Sequence, residues 1–252
     1  MRRLLLIGIG AGDPDHVTVQ AVKALNAFDV LFVVIKDAGT DELVALRRHV
    51  VHRHRTTGDY VTVELADPPR PWRQAADYRA AVDRWRRERA QRWESALREH
   101  LDDGAVGAFL VWGDPSLYES TLSVVQEIAA RGTVAFDHEV IPGVSSVHAL
   151  TARHRITLNR VGRAVQITPA RLLTGGMPTG VDDVVVLLDA HAAFASLPPD
   201  GIDIYWGAYL GTDDEILRSG PLAAIAAEII QVRDEARARK GWIFDIYLLR
   251  RR

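Results

Sequence analysis

The stretch Leu4-Leu5-Leu6-Ile7-Gly8-Ile9-Gly10-Ala11-Gly12-Asp13-Pro14 decides the fold class. An apolar run without polar alternation reads as a strand buried on both faces, the habit of a parallel sheet. The glycines that follow let the chain turn sharply and let a ligand approach the backbone closely. A dinucleotide fingerprint needs glycine at position 13, where this chain has Asp13. A phosphate loop needs a Gly-Lys-Ser/Thr triplet, and none follows. Taken alone, the loop suits a tight structural turn as well as a ligand loop.

The same strand-then-turn arrangement recurs twice downstream. Ala105–Trp112 is an apolar run that ends in Gly113-Asp114-Pro115-Ser116-Leu117-Tyr118. Glu139–Ile141 closes a strand at Pro142-Gly143, followed by Val144-Ser145-Ser146. Ligands of open parallel sheets bind beyond the carboxyl ends of strands, so Asp114 fits a ligand hydrogen bond, and it fits a helix N-cap equally. Ser145 and Ser146 fit a helix cap or a ligand contact. Val30–Ile35 reads as another buried strand, and apolar spacing predicts helices over Thr18–Ala27, Ser120–Ala130 and Ser145–Ala152. Strands alternating with helices make an α/β layer structure.

The second half reads as strands Ala164–Thr168, Val184–Leu188, Ile202–Trp206 and Trp242–Leu249, with helices Ala190–Ser196 and Pro221–Ala236. Arginines flank the last strand, which suggests an edge or closing position. Asn, Arg and Gly cluster at Leu158–Arg163. The expected organisation is therefore two α/β domains, 1–158 with a mostly parallel sheet and 159–252 with a mixed sheet.

Composition excludes several classes of function. The 252 residues are 48% apolar and 25% charged, an ordinary globular profile. The absence of cysteine excludes disulfides, thiolate zinc sites, iron–sulfur clusters and cysteine nucleophiles. A net charge of −2 gives no global basic excess for nucleic acid. The opening apolar run is too short for a signal peptide or membrane span, so a cytoplasmic protein is expected.

The small net charge hides segregation. Arg47–Arg98 holds thirteen Arg and seven acids, a local +6 against −8 elsewhere. Beyond the breaks at Asp67-Pro68-Pro69 and Pro71, the residues Tyr78, Val82, Trp85, Arg89, Trp93 and Ala96–Leu97 keep helical spacing. They predict an amphipathic helix of about 25–30 residues. Its arginines suit a solvated face or one turned to an anionic ligand. His49, His52 and His54 sit among Arg47, Arg48, Arg53 and Arg55, whose charges oppose a metal ion, and none is expected. His148 and His191 read as helix-surface residues, with a place in a ligand cleft as the alternative. Ser145 lies outside any G-x-S-x-G elbow, which argues against a hydrolase nucleophile.

Together, in this order and each after a strand, the three turns resemble the tetrapyrrole (corrin and porphyrin) methylase family over nearly the whole chain. That family is marked by a G-x-G-x-G-D-P opening, a G-D-P-x-x-Y turn and a P-G-x-S-S segment. Here these are Gly8 to Pro14, Gly113 to Tyr118 and Pro142 to Ser146, with Ala11 where the family usually has proline. The resemblance implies a two-domain fold with a ligand cleft between the domains, S-adenosyl-methionine in that cleft, and a homodimer. It implies cofactor contacts at Gly10, Ala11, Trp112, Gly113, Asp114, Leu117, Ser145 and Ser146. In the second half the implied contacts are Leu188, Asp189, Ala190, Ala208, Tyr209 and Gly211.

Three local features narrow the resemblance: the Arg/Trp-rich insertion around Trp72–Trp93, the stretch Ile167–Arg171, and the ending Gly241–Tyr247. They resemble the branch of corrin synthesis that methylates precorrin-5 at C1 and releases acetate, giving precorrin-6A. Methyl transfer asks for orientation and exclusion of water more than for a strong base. Acetyl loss asks for an acid–base group and an electrophilic donor, for which Asp114, Tyr118 and His138 are the candidates. Arginines suit the carboxylates of such a substrate. Two alternatives are a precorrin methyltransferase with different ring-position selectivity and a non-catalytic tetrapyrrole carrier.

Overall fold

The computed structural model describes residues 1–35, 41–69, 76–173 and 176–252. Pro71 and Trp72 of the Arg/Trp-rich insertion lie outside them. The chain groups into two compact units: Met1–Gly10 with Pro14–Val144, and Ala11–Asp13 with Ser145–Arg252.

In the first unit, β1 (Arg2–Gly8), β2 (Val30–Ile35), β3 (Val61–Ala66), β4 (Val106–Val111) and β5 (Phe136–Ile141) form a sheet in the order β3-β2-β4-β1-β5. Every pairing in it is parallel. The unbroken apolar runs are explained by cover on both faces. Leu5, Ile7, Leu31, Val33 and Ala108 pack with residues of α1 (Val19–Leu25) and α2 (Asp41–His54). Leu4, Leu6, Phe32 and Phe109 pack with residues of α3 (Tyr78–His100) and α4 (Thr121–Arg131). Thr18 starts α1 by accepting the Ala21 amide at 3.0 Å, as a capping side chain does.

The amphipathic stripe of α3 is borne out, and its one charged member has a physical reason. Trp93 stacks on Phe109 with ring centroids 4.5 Å apart. The buried Arg89 guanidinium lies over both Trp85 and Trp93, pairs with Asp67 at 2.7 Å and donates to Ser120 Oγ at 2.6 Å. A buried cation persists only where an opposite charge and other polar partners meet it. Arg84, Arg86, Arg87 and Arg98 on the same helix are exposed. Elsewhere in the arginine-rich segment, Arg47 donates to the Leu110 carbonyl, and Arg55 donates to the carbonyls of Leu25, Phe28 and Gly58. Part of the local positive excess therefore serves the packing of this unit.

The second unit contains α5 (Ser146–His154), β6 (Val165–Pro169), β7 (Asp183–Leu187), β8 (Ile202–Ala208), β9 (Ile216–Pro221), α6 (Leu222–Lys240) and β10 (Asp245–Arg251). Its sheet runs β6-β7-β10-β8-β9, with β6 and β7 parallel and the other pairs antiparallel. The last strand is thus the middle of the sheet and not its edge. Its arginine flank is accommodated because Arg250 Nε reaches the fully buried Asp183 at 2.5 Å, which Arg160 also meets at 3.2 Å.

The helix expected at Ala190–Ser196 is only a 3-10 turn, Ala193–Ser196. The left-handed Ala192 (φ 55°) interrupts it, and the Asp189 side chain takes the His191 and Ala193 amides. α5 lies against β8, β9 and β10, so this helix groups with the second unit. The division falls at Val144/Ser145, where the composition had pointed to residue 158.

Candidate functional site

In the first unit, strand register brings three turns to one end of the sheet. Gly8 of β1 pairs with Val111 of β4, and Ile7 pairs with Ile141 of β5. The carboxyl ends of β4, β1 and β5 therefore adjoin, the place where open parallel sheets bind ligands. The first two turns exchange backbone hydrogen bonds, Gly113 N to Gly10 O at 2.7 Å and Gly10 N to Gly113 O at 3.3 Å. The third comes closer still. A Cβ on Gly143 would strike the Gly113 carbonyl oxygen and lie 2.8 Å from the Gly8 carbonyl carbon.

Asp114 is neither a helix cap nor an open acceptor. Its Oδ1 takes the Ser116 amide at 2.9 Å and the Ser116 hydroxyl, and its Oδ2 takes the Gly143 amide at 2.9 Å. The carboxylate is a clasp between the second and third turns. Trp112, partly buried, packs against the α1/α2 face of the sheet, and Leu117 N bonds back to the Asp114 carbonyl at 3.2 Å.

Tyr118 follows with φ 50° and a ring 45% exposed. The next residue holds the turn from its far side: Glu119 Oε1 accepts the Ser120 amide, the Thr121 amide and the Thr121 hydroxyl. Burial pushes the Glu119 carboxyl up, but these hydrogen bonds and the Arg89 charge hold it below its ordinary value. A left-handed tyrosine costs about 1–2 kcal/mol, so the surrounding bonds over-determine it. His138 is not brought here. It pairs with Leu4 in mid-strand, three residues before β5 ends, and its ring lies beside Phe136.

The second unit gathers the remaining expected positions. Ser145 stands at the N-cap of α5, yet its side chain makes no cap bond; Ser145 Oγ instead lies 2.9 Å from His148 Nδ1. Ser146 is the first residue of that helix, half-buried. At the sheet, Tyr247 of β10 pairs with Val186 and Asp245 pairs with Ala208. Antiparallel register then carries Leu188, Ala208 and Phe244 to one sheet end.

Leu188 there has φ 57° and is 62% exposed. Tyr209 has φ 50°, donates its amide to the Phe244 carbonyl at 3.0 Å, and donates its hydroxyl to the Trp242 carbonyl at 2.6 Å. Phe244, itself half exposed, meets Trp242 edge-on at 5.0 Å. Phe244 falls inside the strand read at Trp242–Leu249, where an aromatic in an apolar run gives no separate signal of a ligand contact.

Asp189 is a second clasp. Its Oδ1 takes the His191 amide at 2.9 Å, and its Oδ2 takes the Ala193 amide at 2.7 Å and the Tyr247 hydroxyl at 2.7 Å. Its carbonyl takes Arg233 Nη2 at 2.5 Å. Arg233 also pairs with Asp245 at 2.9 Å, which accepts Trp206 Nε1 at 3.0 Å. Burial, then the Asp189 charge, raises the Tyr247 hydroxyl far above its usual range, so it remains a neutral donor. Ala190, exposed, follows this clasp.

Ala11–Asp13 also group with this unit. Gly211 (φ 77°) leaves room for them, since its Cβ would lie 2.5 Å from Asp13 N. Its amide is held by Glu215 Oε2 at 2.7 Å. Of the five non-glycine residues with positive φ among the described residues, three (Tyr118, Leu188 and Tyr209) stand in these turns. Strained backbone of this kind clusters at ligand sites. The aspartates that sequence placed in the site are engaged by backbone amides, and the turns present backbone groups and apolar side chains.

A family model described as Tetrapyrrole (Corrin/Porphyrin) Methylases matches residues 3–226. The chain is 48% identical over 251 residues, all of it and 96% of the relative, to a precorrin-6A synthase [deacetylating] from Sinorhizobium sp. Among solved structures it is similar to a protein described as related to cobalamin synthesis (CobF) from Corynebacterium diphtheriae, with TM-score 0.85, 36% identity and coverage of 100% and 99% of the two chains. It shares its fold with the uroporphyrin-III C-methyl transferase of Thermus thermophilus, solved with S-adenyl homocysteine, at TM-score 0.60, 18% identity and coverage of 98% and 96%.

Proposed function

Because the chain belongs to the tetrapyrrole (corrin/porphyrin) methylase family, we propose that it is a deacetylating precorrin-6A synthase, methylating precorrin-5 at C1 with release of acetate. The reading is carried by full-length similarity to a relative of that name. The adjoining turns after β1, β4 and β5 support it.

The residues fit S-adenosyl-methionine, which when bound supplies an electrophilic methyl group. Exposed Leu188 and Phe244 offer apolar surface for a planar base, and glycine-lined turns offer backbone groups at close approach. In this reading Gly10, Ala11, Trp112, Gly113 and Leu117 line the cofactor from the first two turns, and Ser145 and Ser146 from the third. Leu188, Ala190, Ala208, Tyr209 and Gly211 line it from the second unit. Asp114 and Asp189 hold those turns in shape. Tyr118, exposed beside the Asp114 clasp, faces the tetrapyrrole, where its hydroxyl donates to oxygen that gains charge during acetyl loss. The enzyme acts as a cytoplasmic homodimer.

Product mass after incubation with precorrin-5 and S-adenosyl-methionine tests this. The expected product has gained one methyl group and lost the acetyl group. A methylated product that keeps its acetyl group would make the chain a methyltransferase of different ring selectivity. No calorimetric binding of S-adenosyl-homocysteine would leave a carrier. Tyr118→Phe is expected to slow acetate release about 10²-fold, as loss of one such donor does; unchanged methylation and acetate release would remove Tyr118 from the site.

A further inference from the structure

We propose that His148 is the general base that activates water for acetyl removal, with Ser145 as its positioning residue; the proposal rests on the deacetylating reading above. Water adds slowly to an unactivated carbonyl, and a positioned base accelerates that step. Carboxylates beside the turns have partners, Asp13 lying 3.7 Å from Arg153. Both oxygens of Asp114 accept amides, and Glu119 Oε1 accepts three donors.

Other histidines are held differently. His54 Nε2 lies 2.8 Å from the Pro14 carbonyl, and His154 Nε2 lies 3.0 Å from the Trp206 carbonyl. A carbonyl oxygen can only accept, so each of these nitrogens carries the proton and cannot take one. His138 sits in mid-strand.

His148 is built in another way. It stands in the first turn of α5, directly after the Pro142–Ser145 turn, with an exposed ring. Its Nδ1 meets the hydroxyl of Ser145, a residue only 6% exposed. That hydroxyl occupies a capping position without capping. It fixes the imidazole plane, and in the tautomer whose Nδ1–H donates to this hydroxyl, Nε2 carries a free lone pair. Among the described residues no protein group bonds to Nε2.

The step balances without a further reagent. Nε2 takes a proton from water as the water oxygen bonds to the acetyl carbonyl carbon. The bond from that carbon to the ring then breaks and acetic acid departs, ionising to acetate. The electron pair of the broken bond passes into the conjugated macrocycle, which becomes nucleophilic toward the methyl group. The proton on His148 returns to solvent.

The test uses the full chain with precorrin-5 and S-adenosyl-methionine, reading released acetate, calorimetric affinity for S-adenosyl-homocysteine, and thermal unfolding. His148→Asn keeps an amide at the Nδ1 position for Ser145 and lacks the distal nitrogen. It is expected to lower acetate release about 100-fold or more. It should also abolish the histidine limb of the pH–rate profile and leave cofactor affinity and unfolding temperature at wild-type values. Added imidazole should restore acetate release to His148→Ala. Ser145→Ala should lower the rate about tenfold, the scale of one lost hydrogen bond, and displace the pH limb, while Ser145→Thr restores both. Wild-type acetate release and pH profile in His148→Asn would overturn the proposal. So would a joint loss of cofactor binding and stability, which marks a structural role. A wild-type enzyme that releases no acetate overturns the functional reading instead.

Discussion

Asp114 Oδ2 accepts the Gly143 amide at 2.9 Å, so a single carboxylate ties the turn after β4 to the turn after β5. Asparagine is nearly isosteric but can place only one oxygen, and its NH2 would face either the Gly143 or the Ser116 amide. A buried donor left without an acceptor costs about 1–3 kcal/mol. Asp114→Asn is therefore expected to weaken S-adenosyl-homocysteine binding roughly tenfold or more, as each 1.4 kcal/mol is a factor of ten. Calorimetry checks this, and full affinity in the variant refutes the clasp as a support of the cofactor turns.

The closeness of those turns predicts a steric result at a neighbouring position. Gly143→Ala would drive a methyl group into the Gly113 carbonyl oxygen and the Gly8 backbone, neither of which is a side chain able to swing aside. Overpacking of this kind costs about 1–3 kcal/mol or more. Gly58→Ala is the control, because its Cβ would meet nothing within 4 Å. Urea unfolding should show a clear loss for Gly143→Ala and almost none for Gly58→Ala. Equal midpoints in the two variants would count against the packing described.

Asp189 forms the matching clasp of the second unit, and Tyr247 is its deepest partner, fully buried and 2.7 Å from Oδ2. Tyr247→Phe removes one of the two donors to that oxygen and leaves the Ala193 amide in place. The expected loss is about 1 kcal/mol of stability, with a weaker grip on the exposed, left-handed Leu188. Binding of S-adenosyl-homocysteine should fall several-fold. Unchanged affinity alongside reduced stability would separate Leu188 from the cofactor site.

Much of this arrangement was legible in the chain, for identifiable reasons. Val30–Ile35 was bounded correctly because an unbroken apolar run between polar residues has few other uses. The three turns stood out because glycine and proline punctuate sharply. The helix Asp41–His54 was obscured by its basic face and β3 by its short alternation, and β9 went unread, because Ile216–Pro221 mixes arginine, serine and glycine. The central place of β10 depends on long-range pairing, and its arginines hid the fact that Asp183 waits inside to receive Arg250. At the site, sequence named Asp114 and Asp189 without their use as clasps, because backbone amides carry no residue signature. His138 lies in mid-strand because β5 begins at Phe136, ahead of the Glu139–Ile141 end that the sequence shows.

His154 gives a prediction about pH. Its ring packs edge-on against Tyr205 at 5.6 Å, and its Nε2 lies 3.0 Å from the Trp206 carbonyl. Burial lowers its pKa below the usual histidine value, outweighing the Trp206 hydrogen bond and the Glu215 charge. The folded state thus keeps the imidazole neutral at a pH where the unfolded chain, titrating near about 6.5, binds a proton. Protons bound preferentially by the unfolded state make stability rise with pH. The contribution is complete above about pH 6.5, declines as pH falls from there toward the folded value, and is flat below it. Glutamine at this position keeps an N–H donor and does not titrate. The difference in urea midpoint between wild type and His154→Gln should therefore move against the wild type as pH falls from 8 to 5. A constant difference across that range would show that His154 titrates alike in both states.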